Sequence, residues 1–168
     1  MSNYLIPLMV VVPMLCAILV NAFAKFNKSI KVLTFVVAIC LPIIPLLSNY
    51  GLHFFGGYTP MLDNATGVIY HPAITYAFDM LQQIFIVAVG LITFLVAFIY
   101  LSKYKKASGQ YLFLLFMGTA SVTALMLTDD IFNMFVFFEI LALVQVGIVI
   151  ASPMDYSYEM ALKYMILG

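Results

Sequence analysis

The chain has 168 residues, of which 65% are apolar, and it carries only 7 Lys or Arg and 7 Asp or Glu, giving a formal net charge of zero. Soluble domains carry roughly a quarter charged residues, so the composition excludes an ordinary water-soluble fold. It also excludes a disordered chain, which needs high charge, and a nucleic-acid partner, which needs a basic surface. The composition predicts an all-α integral membrane protein in the lipid bilayer.

Five apolar stretches can cross the hydrocarbon core as helices, which takes about 20 residues each. They run from Tyr4 to Ala24, Ile30 to Leu47, Tyr76 to Leu101, Tyr111 to Leu127 and Ile131 to Ala151. A sixth stretch begins near Met160 and is too short to span. We therefore expect a single membrane domain with helices one and two in 1–48, an external loop over 49–75, and helices three to five plus the start of a sixth in 76–168.

The lysines orient these spans, because the chain has no Arg. They are Lys25, Lys28, Lys31, Lys103, Lys105, Lys106 and Lys163. The loop over 49–75 has no basic residue, and its glycines and prolines predict an irregular connection. Alternating crossings put every lysine on one side, so the positive-inside rule predicts a plasma-membrane protein with its N-terminus outside and its Lys-rich loops in the cytoplasm.

Glu139 is the one acidic residue well inside a predicted span, roughly 12 Å along helix five from Ile131. An ionisable group at such a depth is a functional candidate because lipid makes charge costly. None of the residues on its helix face can neutralise it; they are Phe132, Phe135, Val136, Ala142, Leu143 and Val146. Its partner is then expected on another helix or in another chain, with Glu139 acting as a proton-handling carboxylate in an ion pathway. The alternative is a neutral, hydrogen-bonded glutamic acid that joins helices.

The other ionisable candidates have simpler explanations. Asp129 and Asp130 precede helix five and Asp79 opens helix three, where carboxylates cap helices and favour the dipole. Lys163 follows Glu159 by four residues, which predicts a local ion pair, although Lys163 could instead face the bundle interior. Small residues of helix four are expected to pack it against helix five; they are Gly118, Thr119, Ala120, Ser121, Thr123 and Ala124.

One segment resembles a known family. Residues 128–140, TDDIFNMFVFFEI, are similar to the D-x-F-N-x-(F/Y)-V-F-F-E segment of antiporter-like membrane subunits, found in respiratory complex I, Mrp cation/proton antiporters and membrane-bound hydrogenases. Weaker similarities lie in FGGY at 55–58 with GV at 67–68, in AFDML at 77–81, and in EMALKYMILG at 159–168. The resemblance therefore extends along the whole chain.

The resemblance implies the N-terminal part of a fold with about fourteen helices, three leading ones followed by two inverted five-helix repeats. It implies that Glu139 occupies the position of an essential glutamate that tunes a lysine on a broken seventh helix. Lys163 matches a sixth-helix lysine, a secondary candidate in the same pathway. The chain departs from the family pattern because it stops in helix six. We therefore expect either a split subunit completed by another membrane subunit or a fragment.

Two functions remain open at this stage. The chain is part of a proton- or sodium-translocating module in a multisubunit membrane complex, with H⁺ or Na⁺ as the transported ion, or it is a structural anchor that packs in such a complex without moving ions. No cofactor motif, metal-ligand cluster or nucleophile–base pair is visible in the sequence. The chain is thus expected to bind no cofactor or metal itself, and to be catalytic only as a subunit of a complex, if at all.

Overall fold

A computed structural model describes residues 5–49, 51–55, 58–63, 67–72, 74–104, 108–151 and 156–167. Its helices are α1 (Leu5–Ala22), α2 (Asn27–Leu47), α3 (Met80–Lys103), α4 (Gly109–Leu127), α5 (Ile131–Ile150) and α6 (Ser157–Leu167). Among the described residues, the first five helices are long and apolar enough to cross a membrane. This confirms the predicted fold class of five membrane helices followed by the start of a sixth.

Helix α4 occupies the centre of the bundle. It packs against α1, α3 and α5, while α2 packs on α3 and α1, and α6 packs on α5. The small side chains of α4 allow these close approaches. A Cβ added to Gly118 would lie 3.1 Å from Val144 Cγ1 of α5, so the predicted packing against α5 is right at this residue. Ala124 is buried in a cluster that contains Ile6 and Met9 of α1 and has Phe137 of α5 packed against it, so the small residues of this central helix serve several neighbours.

Two hydrogen bonds between α2 and the α3 segment identify the two ends of the bundle. At one end Lys31 at the start of α2 bonds to the carbonyl oxygen of Tyr104, just after α3. At the other end Gln83 Nε2, near the start of α3, donates to the carbonyl oxygen of Pro45 in the last turn of α2, over 2.8 Å. We call these the lysine end and the loop end. Lys25, Lys28, Lys31 and Lys103 lie at the lysine end, and Lys105 and Lys106 lie outside the described residues.

The connection between α2 and α3 is ordered by strands, so the predicted irregular loop was wrong. Strand β1 (Leu52–Phe55) pairs antiparallel with β4 (Thr75–Phe78), and β2 (Tyr58–Asp63) pairs antiparallel with β3 (Gly67–Pro72). The β2–β3 hairpin thus lies between the two strands of the outer pair in the sequence. Aromatic and β-branched residues favour such ladders, and they outweigh the Gly and Pro signals on which the prediction rested.

The predicted start of helix three at Tyr76 was also wrong. Tyr76, Ala77 and Phe78 are buried as part of β4, and α3 begins only at Met80, after Asp79. The side chain of Phe78 packs in one core cluster with α1, α3 and α4. In the sequence, a short buried strand directly before a helix cannot be distinguished from the first turn of that helix. Periodicity alone does not separate a short buried strand from a buried helical segment.

Candidate functional site at Glu139

Helix α5 is the least covered of the membrane helices. Of its 20 residues, only Asn133 and Val144 are buried among the described residues. Glu139 is exposed on this helix, eight residues after its start, and therefore roughly 12 Å along the axis at 1.5 Å per residue. A carboxyl group near the middle of an apolar helix thus lies on a surface that the described residues leave open.

The exposed side chain of Glu139 lies outside the side of α5 that packs against α4. The inner side of α5 is marked by Val144, which lies against Gly118, and by Gly147, where an added Cβ would lie 2.8 Å from Leu114 Cδ2 of α4. At 3.6 residues per turn, Glu139 is rotated around the helix axis by about 140° from Val144 and by about 80° from Gly147. Within the part of the chain that the structure describes, its carboxyl group makes no ion pair.

The surface around Glu139 is apolar and aromatic. Phe132 is 75% exposed, Phe135 61% and Leu143 66%, and all three share the helix face of Glu139, as the 3.6-residue period predicts. An exposed apolar face is expected where a helix meets lipid or another membrane helix. A carboxyl group within that face needs a polar partner or a proton, since hydrocarbon solvates charge poorly.

The start of α5 is held by a capping arrangement at the loop end. Asp130 is the N-cap residue, and its carboxylate oxygens accept hydrogen bonds from the backbone N–H groups of Phe132 and Asn133, each over 3.3 Å. The Asn133 side chain donates to Thr128 Oγ1 over 2.9 Å. These bonds satisfy amide groups that a helix start otherwise leaves without partners. Asp130 thus has a local structural role.

The residues just before α5 are hydrogen-bonded to strand β4 of the α2–α3 connection. The backbone N–H of Asp129 donates to the carbonyl oxygen of Thr75 over 3.0 Å, and Thr128 forms an isolated bridge with Tyr76 of β4. The Asp129 side chain is exposed. Asp79 is the N-cap residue of α3, where its backbone N–H donates to Gln82 Oε1 over 3.2 Å. The three aspartates therefore lie at helix starts and not beside Glu139 on α5.

Lys163 is paired within its own helix. Its Nζ lies 2.6 Å from Glu159 Oε1, one turn earlier on α6, and the two side chains are 63% and 60% exposed. The structure thus contains the local ion pair that the four-residue spacing predicts. Exposed pairs of this kind contribute little to stability.

No group of three His, Cys, Asp or Glu side chains that could hold a metal ion occurs among the described residues. His53 is exposed on β1. Glu139 itself offers the chemistry of a carboxyl group, which exchanges a proton or attracts a cation.

Two polar features of the bundle were not predicted from the sequence. Thr93 Oγ1 of α3 and Thr119 Oγ1 of α4 lie 2.9 Å apart in the buried interior. Lys31 Nζ donates to the carbonyl oxygens of Tyr104 and Leu101, over 3.1 and 3.5 Å. Both are contacts between segments distant in sequence. The only signal in the sequence was the presence of Thr and Lys within apolar stretches.

Comparison with known proteins adds two similarities. The chain is 38% identical over 166 residues to an uncharacterized protein of Methanocaldococcus jannaschii, an alignment that covers 99% of this chain and 33% of the relative. Its fold is similar to that of a chain in the structure of the membrane-bound sulfane sulfur reductase, an archaeal respiratory membrane complex. That match has a TM-score of 0.78 at 20% identity and covers 99% of this chain and 34% of the other.

The chain thus spans about a third of the length of both proteins. No protein-family model matches it. At 20% identity, the structural similarity establishes the fold alone, over nearly the whole chain.

Proposed function

We propose that the chain forms one segment of an ion-translocating, antiporter-like module in a multisubunit membrane complex. In this proposal Glu139 is the proton-handling carboxylate, and it meets a cationic group on a membrane helix outside the described residues. The position of Glu139 carries the proposal: it is exposed near the middle of α5, outside the side that packs against α4.

The physical reason is the electrostatics of the uncovered face. An isolated carboxylate in hydrocarbon is costly, whereas a nearby positive charge favours the ionised form. Glu139 would therefore release its proton when a cation approaches and take up a proton again when the cation withdraws. The aromatic side chains of Phe132 and Phe135 beside it would keep bulk water away, so the interaction would be strong.

The comparisons support this assignment in a coarser way. The structurally similar chain belongs to an archaeal respiratory membrane complex, and the segment over 128–140 is similar to the corresponding part of antiporter-like subunits. These similarities agree with a membrane subunit that has further membrane subunits as partners. The transported ion in the proposal is H⁺, Na⁺ or both, with no cofactor bound by this chain.

The test is Glu139→Gln in the intact complex, reconstituted into vesicles with pH- and sodium-sensitive dyes. We expect the rate of ion translocation to fall by about a hundredfold or more, because a positioned proton-transfer group contributes a factor of at least about a hundred to a rate. The complex should still assemble normally, as judged on native gels. Glu159→Gln is the matched control, because Glu159 is also an exposed glutamate but is paired with Lys163. Normal translocation by the Glu139→Gln complex would refute the proposal.

A structural anchor is the second candidate, favoured by the large exposed apolar surface of α5. It predicts that Glu139→Gln leaves transport unchanged, whereas Phe135→Ala or Leu143→Ala weakens assembly. Substitutions in α4 would not discriminate between the candidates. Ala120 and Ala124 are buried in the chain's own core, so a larger side chain there would disturb the fold of this chain before it affected any partner.

A further inference from the structure

Two shallow grooves run along the outer side of α2 near the lysine end. One is lined by Lys28, Ser29, Val32, Leu33 and Val36. The other is lined by Lys31, Val32, Phe35, Val36, Phe98, Leu101 and Ser102, and so it lies between α2 and α3. The grooves share only Val32 and Val36, which therefore form a ridge between them.

The Val32–Val36 ridge is exposed, and Lys28 lies next to its end nearest the lysine end of the bundle. Val32 is 58% exposed and Val36 52%, as expected for side chains in contact with lipid. Lys28 precedes Val32 by four residues, so it lies one turn earlier on the same helix face. Lys31 opens the second groove. Each groove thus has a cationic end and apolar walls.

The ammonium group of Lys31 is held in place before any ligand binds. It donates to the carbonyl oxygens of Tyr104 and Leu101 at the end of α3, where the helix dipole favours a positive charge. A lysine has three N–H donors, so one donor remains for a further acceptor. Carbonyl groups orient the ammonium group but carry no net charge, and the positive charge of Lys31 is therefore not neutralised by these contacts.

Acidic side chains are absent from the lining of both grooves. The described acidic residues with a placed side chain lie elsewhere: Asp79, Asp129 and Asp130 at the loop end, Glu139 on α5 and Glu159 on α6. Two further lysines, Lys25 and Lys103, lie at the same end of the bundle as Lys28 and Lys31. The charge at this surface is complementary to an anion, and the grooves below it are complementary to hydrocarbon.

We propose that this surface binds one anionic phospholipid. The phosphate lies between Lys28 and Lys31, and the two hydrocarbon chains follow the two grooves on either side of the Val32–Val36 ridge. The hydroxyl groups of Ser29 and Ser102, one in each groove, are available to donate to ester or phosphate oxygens. A zwitterionic headgroup is disfavoured because its own cation would face these lysines.

The experiment uses the protein purified from its native membranes in a mild detergent, with lipid retention measured by native mass spectrometry. Phosphatidylglycerol and phosphatidylcholine with the same acyl chains are the two probes. We expect phosphatidylglycerol to be retained preferentially, and each Lys→Gln change to weaken its binding about fivefold. The double variant Lys28→Gln/Lys31→Gln should abolish the preference, and Lys28→Arg/Lys31→Arg should restore it.

Two controls distinguish this site from general attraction to charge. Lys163→Gln removes the same charge from α6 and should leave lipid retention unchanged. Val32→Trp keeps the charge but obstructs both grooves, and it should weaken retention of the intact lipid while leaving the binding of inorganic phosphate unaltered. The proposal would be overturned by equal retention of the two lipids, by an equal loss in Lys163→Gln, or by undiminished lipid retention in Val32→Trp, which would indicate a site for free phosphate. A protein subunit that covers the ridge in the complex would also overturn it.

Discussion

A Cβ atom added to Gly90 would lie 2.8 Å from the backbone nitrogen of Pro42, so α2 and α3 are in backbone contact at this point. The neighbouring atom belongs to the backbone of a proline-containing helix and cannot rotate away. We therefore expect Gly90→Ala to destabilise the bundle by about 1–3 kcal/mol, the usual cost of overpacking. Unfolding in mixed detergent micelles, followed by circular dichroism, measures this change.

Gly118→Ala is the matched control for that substitution. Its added Cβ would lie 3.1 Å from Val144 Cγ1, a methyl group at the end of a side chain that can shift slightly. The cost should be clearly smaller than that of Gly90→Ala. A Gly90→Ala protein that unfolds like the wild type would contradict the close contact between α2 and α3.

The hydrogen bond between Thr93 and Thr119 should couple α3 to α4. Thr→Val keeps the shape of the side chain and removes the hydroxyl, so a double-mutant cycle isolates the interaction between the two residues. We expect a coupling energy of about 0.6 kcal/mol, and at most about 1.7 kcal/mol, as for other hydrogen bonds between membrane helices. Additive effects of the two substitutions would show that the hydroxyls do not interact.

Asp130 should stabilise α5 through its N-cap. Asp130→Ala removes the acceptors for the Phe132 and Asn133 amides, and the expected cost is about 1 kcal/mol. Asp129→Ala should cost much less, because the Asp129 side chain is exposed and its bond to Thr75 comes from the backbone. Thermal unfolding of the two variants compares them directly; equal losses would argue against the cap.

The distribution of lysines predicts the orientation of the protein in the membrane, and cysteine labelling tests it. After Cys16 and Cys40 are replaced by Ala, single cysteines are placed at His53 on β1 and at Ser102 at the end of α3. The positive-inside rule predicts that a membrane-impermeant maleimide labels the first in intact cells and the second only in inverted vesicles. The reverse pattern would place the lysine end outside the cell.

Helix position was readable from the sequence because a membrane span needs a long apolar stretch, and this requirement located α5 to within a residue. The depth of Glu139 along α5 followed from its place in that helix. The strands were not readable, since Tyr76 and Phe78 are as apolar as helical neighbours and acquire their strand geometry by pairing with Leu52–Phe54. The fixed ammonium of Lys31 was equally hidden, because its acceptors at Leu101 and Tyr104 are backbone atoms whose location depends on how α2 and α3 pack.

The bridge between Thr128 and Tyr76, together with the bond from Asp129 to Thr75, attaches the first turn of α5 to the strands of the loop. These bonds therefore fix the position of Glu139 relative to the strands at the loop end. A tilt of α5 about this attachment would swing its α6 end widely while moving Glu139 by less than half as far. In the proposed function, the helix that supplies a cation to this carboxyl group must accordingly place it at a level set by β4.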